Sequence, residues 1–298
     1  MNKFIDLKLM ADSLSEVRTF ADELTAAERE AIAPIGLFWD EVNARPRTLT
    51  PGAAGFYAAC SMPSRDQRSR KTCVSFALTA AVELLAWRRG LTLDLSEQHV
   101  AYLIAKALNR APDSADESVR LIEALRILKG QRICTEFEFP YEDEGSIPSS
   151  CAWAAGKYGV ADYALIPRFA SQTDRVGILT PCLDGPGIAN TAYLESIIAG
   201  GCDIVVVLSL TDTQVLDLDT GLIVIDCNLE ATRMCCVPRN PNYAHAVLIT
   251  GYVRAANVPY FVCRDSLKGL SCGKPLLISY DYMRTFASYG AVVTSMLS

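Results

Sequence analysis

Over residues 73–88 the chain carries Phe76, Ala77, Ala80, Ala81, Leu84, Leu85 and Trp87 with almost no polar face between them. Apolar side chains on every side predict a helix buried nearly all round, not one lying on a surface. Such a helix needs neighbours on all sides and therefore a large core. With 298 residues, 50% of them hydrophobic, the chain can supply one, as a single large domain or two closely packed lobes. Glu83 interrupts the run, and neither this stretch nor 204–210 reaches the roughly 18 apolar residues a membrane span requires. No transmembrane helix is expected.

The flanking sequence suggests what surrounds the buried helix. Leu14, Val17, Phe20, Ala21 and Leu24 recur at helical spacing within 12–33, and an extended segment over 43–70 is broken by Pro46, Pro51, Gly52, Gly55 and Pro63. Ser96-Glu97-Gln98 reads as the start of a second core helix running through Leu103, and 118–128 reads as a third. Short β-branched or aromatic runs then predict strands at 202–210, 221–225, 246–252, 260–264 and 276–279. Helices first and strands later point to an α+β fold of two lobes with a cleft between them. The expected division is an N-terminal extension over 1–60, packed or pro-like, and one domain over 61–298.

A net charge of −6 gives no sequence-wide reason to expect nucleic acid or an anionic membrane as partner. The start, MNKFIDLKLMADSLSEV, is too interrupted by polar residues for a secretory signal. The eleven cysteines are odd in number and several lie in apolar runs, which favours reduced thiols over a disulfide framework. Cys227 with Cys235-Cys236 lacks the spacing of a zinc site, and Asp217, Asp219 and Asp226 lack the order of a calcium loop. No metal or other cofactor is expected.

One residue pair carries a chemical suggestion. Cys73 opens the buried helix, where the helix dipole stabilises a thiolate, and Arg68, Arg70 and Lys71 just before it would act in the same direction. His245 precedes Ala246-Val247-Leu248-Ile249-Thr250, a convincing strand, and could serve as the base of such a thiol. Equally, on these grounds alone, His245 could be a hydrogen-bonded structural histidine. His99, the other histidine, suits a surface or packing role.

Several pieces in order resemble the papain family of cysteine peptidases. They are Arg65-Asp66-Gln67, then Thr72-Cys73-Val74-Ser75-Phe76-Ala77, Leu95-Ser96-Glu97-Gln98, Phe139-Pro140-Tyr141, Ala244-His245-Ala246-Val247 with Gly251-Tyr252, and Arg264-Asp265-Ser266. The pattern is similar to the bacterial branch of that family. The resemblance implies a papain-like two-lobed fold in which Cys73 is the nucleophile, His245 the general base and acid, and Asp265 the group orienting the imidazole. It makes Gln67 an oxyanion donor, with the backbone N–H of Cys73 as its partner.

There are departures from the family pattern. Asp265 replaces the usual Asn, Leu267 a Trp, Val74 an aromatic residue, and Arg70 a disulfide cysteine, which fits a reducing compartment. Asp116-Glu117-Ser118 stands where the family has a glycine strip, so Glu117 and Ser118 are candidate substrate-binding residues. The implied function is peptide-bond hydrolysis through a thioester, on a peptide or protein substrate, with a regulatory protein partner left open. The alternatives are an amidase or transpeptidase with the same triad, or an inactive binding module. The expected location is the cytoplasm, with signal-independent secretion as an effector the alternative.

Overall fold

The computed structural model describes residues 65–111, 117–143, 145–149, 156–166, 187, 188, 190–209, 215, 216, 223–225, 244–255, 258–266 and 276–298. The N-terminal extension, Asp116, the acidic residues at 217, 219 and 226, the cysteines at 227, 235 and 236, and Leu267 lie outside them.

Three helices come first: α1 (Cys73–Trp87), α2 (Glu97–Ala107) and α3 (Leu121–Leu128). All of α1 is buried except Cys73, Leu85 and Trp87, as a helix without a polar face must be. Glu83 is accommodated inside by accepting the Leu95 N–H at 2.8 Å and by facing Arg264 at 3.7 Å. A buried carboxylate without such partners would be far costlier.

The strands are β1 (Gly159–Ile166), β2 (Ile204–Ser209), β3 (Val215–Leu216), β4 (Ile223–Ile225), β5 (Ala244–Ala255), β6 (Val258–Arg264), β7 (Leu276–Ser279) and β8 (Ala287–Leu297). They form one sheet in the order β1-β8-β2-β5-β6-β7-β4-β3, antiparallel except for the β4–β7 pair. Helix α4 (Thr191–Ala199) precedes β2, and α5 (Tyr280–Phe286) joins β7 to β8.

Side-chain alternation along the central strands assigns each face of the sheet its own core. Val205, Ala246, Leu248, Ala291 and Val293 pack with the side chains of α1, α2 and α3. Their neighbours Val206, Val247, Ile249 and Val292 pack with those of α4 and α5 on the other face. Gly290 permits the close approach of β8 to β2, since a Cβ there would lie 2.9 Å from the Val205 carbonyl oxygen. The α+β arrangement is present, as are the helices expected at 73–88, 96–103 and 118–128 and the expected strands, with ends displaced by a few residues; α3 begins at Leu121 rather than 118, and the helical spacing within 12–33 lies outside the described residues. Five elements are additional to those expected: β1, β3, α4, α5 and β8.

Candidate active site

Cys73 is the first residue of α1. The first N–H groups of any helix lack intrahelical acceptors and carry the positive end of its dipole. Here, among the described residues, no N-cap side chain takes one. Thr72, at the N-cap, makes no capping bond, its hydroxyl lying 2.7 Å from the Tyr141 hydroxyl instead, and the first turn contains no acid.

His245 is the second residue of β5. Antiparallel pairing places Leu248 opposite Arg264, which brings Asp265, one residue beyond β6, alongside the start of β5. His245 Nε2 and Asp265 Oδ1 are 2.5 Å apart, and the two side chains are 3% and 0% exposed. The Cys73 thiol hydrogen-bonds to the same imidazole, which leaves the other ring nitrogen, Nδ1, to serve the sulfur. A single imidazole thus bridges thiol and carboxylate.

Burial alone would raise the Cys73 pKa, but the hydrogen bond and charge of His245, with the N–H groups of Ala246 and Val74, outweigh it and hold the thiol below its ordinary value. Burial alone would lower the His245 pKa; its hydrogen bonds to Asp265 and Cys73 and their negative charges carry it up to about 10. Both shifts favour a thiolate–imidazolium pair. Two of the three basic residues before the helix are engaged elsewhere: Arg68 pairs with Asp143 at 2.6 Å and Arg70 pairs with Glu117. In place of Arg68 and Arg70, His245 and the backbone N–H groups bias the thiol.

Gln67 is held at both ends of its side chain. Its Nε2 donates to the Arg70 carbonyl at 2.7 Å and its Oε1 accepts from the Ser266 hydroxyl at 2.6 Å. Its backbone N–H donates to the Ser266 carbonyl at 2.8 Å, and its own carbonyl accepts from Tyr141 Oη at 3.0 Å. With the Oε1 bond setting the amide orientation, the second Nε2 hydrogen is left over. Ser266 directly follows Asp265, so one segment anchors both the imidazole and the amide.

Tyr141 and Ser266 also belong to the site, although the sequence alone marks no role for either. The ring of Tyr141 meets Phe76 edge-on at 4.7 Å. Their signal was position alone, in the Phe-Pro-Tyr piece and beside Asp265. Glu117 turns its carboxylate to Arg70, with Nε at 3.1 and 2.9 Å from its two oxygens. Ser118 is exposed and its carbonyl accepts from Arg110 at 2.6 Å. His99 packs in the interior, its Nδ1 accepting the Cys134 N–H at 3.0 Å, and burial lowers its pKa to about 4.

No protein-family model and no curated protein sequence matches the chain. Solved structures do. Xylellain, a cysteine protease from Xylella fastidiosa, is 17% identical over 85% of this chain and 88% of its own, with a TM-score of 0.60. Digestive procathepsin L 3 from the larval midgut of Tenebrio molitor is 20% identical over 77% and 66%, with a TM-score of 0.50. Bromelain protease from Ananas comosus, in complex with the E64 inhibitor, is 15% identical over 79% and 94%, with a TM-score of 0.51. At these identities the likeness is one of fold, and the chain has the fold of the papain-like cysteine proteases.

Proposed function

We propose that the protein is a papain-like cysteine peptidase that hydrolyses peptide bonds through a thioester acyl-enzyme. The observation that carries this is the Cys73–His245–Asp265 hydrogen-bonded series at the open start of α1. Cys73 as thiolate attacks the scissile carbonyl, and His245, protonated, gives its proton to the leaving amine. It then takes a proton from the water that hydrolyses the thioester. Asp265 fixes the ring and stabilises its charge. Gln67 Nε2 and the backbone N–H of Cys73 are the donors for the tetrahedral oxyanion.

The substrate class is peptide or protein. A reducing compartment such as the cytoplasm suits the chemistry, with Cys73, Cys134, Cys202 and Cys263 as free thiols among the described residues. The test is labelling with iodoacetamide or an E-64-type epoxide at mildly acidic pH, mapped by mass spectrometry. Preferential modification of Cys73, lost in His245→Ala, is the expected result. Labelling no faster than at Cys202 would refute the assignment.

A further inference from the structure

We infer that Arg70 is a positioning residue for the oxyanion donor, its guanidinium tying the 67–73 loop to Glu117 at the position where the resembling family has a disulfide cysteine. The inference rests on the peptidase function proposed above.

Gln67 depends on the Arg70 backbone at two points. Its Nε2 donates to the Arg70 carbonyl, and the Arg70 N–H donates to the Gln67 carbonyl at 3.2 Å. The Arg70 backbone is in turn set by its side chain, which is 7% exposed and faces a Glu117 side chain 12% exposed. Nε and Nη2 form a fork on the Glu117 carboxylate. Nη1 donates to Gln98 Oε1 at 2.6 Å and to the Glu142 carbonyl at 2.8 Å, and the guanidinium lies 4.6 Å from the centre of the Tyr141 ring. Tyr141 closes the circuit by donating to the Gln67 carbonyl.

Such a planar, multiply bonded guanidinium fixes orientation as well as distance. A salt link this buried is also little screened by added ions. It links residues 47 positions apart in the chain and, unlike a disulfide, needs no oxidant to form. A reduced protein could keep its oxyanion donor in place by this means.

The test separates two reactions of the same thiol. Alkylation by iodoacetamide is a displacement at a saturated carbon in which the C–S bond forms, iodide leaves and no oxyanion appears. Peptide hydrolysis passes through a tetrahedral oxyanion. In full-length protein, Arg70→Met should lower kcat on the fastest-cleaved member of a peptidyl-aminomethylcoumarin panel by about 10- to 100-fold, the scale of a misplaced donor. Alkylation of Cys73 should scarcely change. Arg70→Lys should restore only part of the loss, because an ammonium cannot form the fork.

Glu117→Gln, which preserves shape, should act in the same direction and serves if Arg70→Met does not fold. In a Gln67→Ala background, Arg70→Met should cost little more, since its effect runs through Gln67. Full additivity, unchanged kcat in Arg70→Met or Glu117→Gln, or a proportional fall of alkylation and kcat would each overturn the inference. A wild-type Cys73 no more reactive than Cys202 would instead remove the peptidase assignment, and the inference with it.

Discussion

Two helices in the same half of the molecule begin in opposite ways. At α2, Ser96 accepts the His99 N–H at 2.9 Å and donates to the Phe139 carbonyl at 2.5 Å, and Glu97 occupies the first turn. Burial pushes Glu97 up to about 8 even with Arg65 at 2.6 Å. At α1 there is neither cap nor acid, and the Cys73 thiol occupies the first position. One helix end spends its donors on the fold, while the other leaves them facing the Cys73 thiol. Each end can be broken separately, and the consequences should differ in kind.

The largest effect is expected at the open end. Removing the imidazole that pairs with the thiol by His245→Ala should lower kcat/KM by about 10²- to 10⁴-fold, the usual worth of a positioned base. It should also return Cys73 alkylation to the alkaline pH range of an ordinary thiol. If alkylation in the variant still plateaus at mildly acidic pH, the helix end alone makes the thiolate. Gln67→Ala should come next, with kcat reduced about 10²- to 10³-fold, as for other lost oxyanion donors. Its alkylation rate should stay near that of the wild type, which separates a missing donor from a misfolded site.

How much of this contrast was legible in the sequence differs between the two ends and the sheet. The buried helix could be read because Phe76 through Trp87 leaves no polar face, and the start of α2 because Ser96 and Glu97 are ordinary capping residues. The four site residues could be picked out in order, and the fold brings them together. Partners distant in sequence could not be seen. Ser266 meets Gln67 across 199 positions, and Arg70 finds Glu117 across 47. A basic run beside a cysteine looks like a local field, yet pairing with distant carboxylates takes up Arg68 and Arg70. Strands β1 and β8 pair with each other from Gly159–Leu297 to Ile166–Gly290. Their polar interruptions, Asp162 in one and Ser288 in the other, hide the pattern that pairing creates.

At the capped end the expected effect is smaller and of another kind. Ser96→Ala removes a helix cap and leaves the buried Phe139 carbonyl without that hydroxyl, at a cost of about 2–3 kcal/mol. Urea unfolding should report the loss as a lower midpoint. Cys73 alkylation should be unaffected at concentrations of denaturant where the variant remains folded. A parallel fall in alkylation would mean that the 139–141 segment transmits the cap to Thr72 and Gln67 through Tyr141, and that the two helix ends are one unit.

The smallest effect sharpens what supplies the field at α1. Cys73 alkylation should rise as pH passes the lowered pKa of the thiol, since only the thiolate attacks. It should then hold a plateau until His245 loses its proton near about 10. If His245 and the helix end set that lower limb, Arg68→Ala should move it by less than about 0.3 pH unit, because an exposed pair such as Arg68–Asp143 contributes little. A displacement of a full unit toward alkaline pH would assign the field to the basic loop instead. In that case an uncapped helix end would be insufficient to hold the thiolate, and the difference between α1 and α2 would concern stability alone.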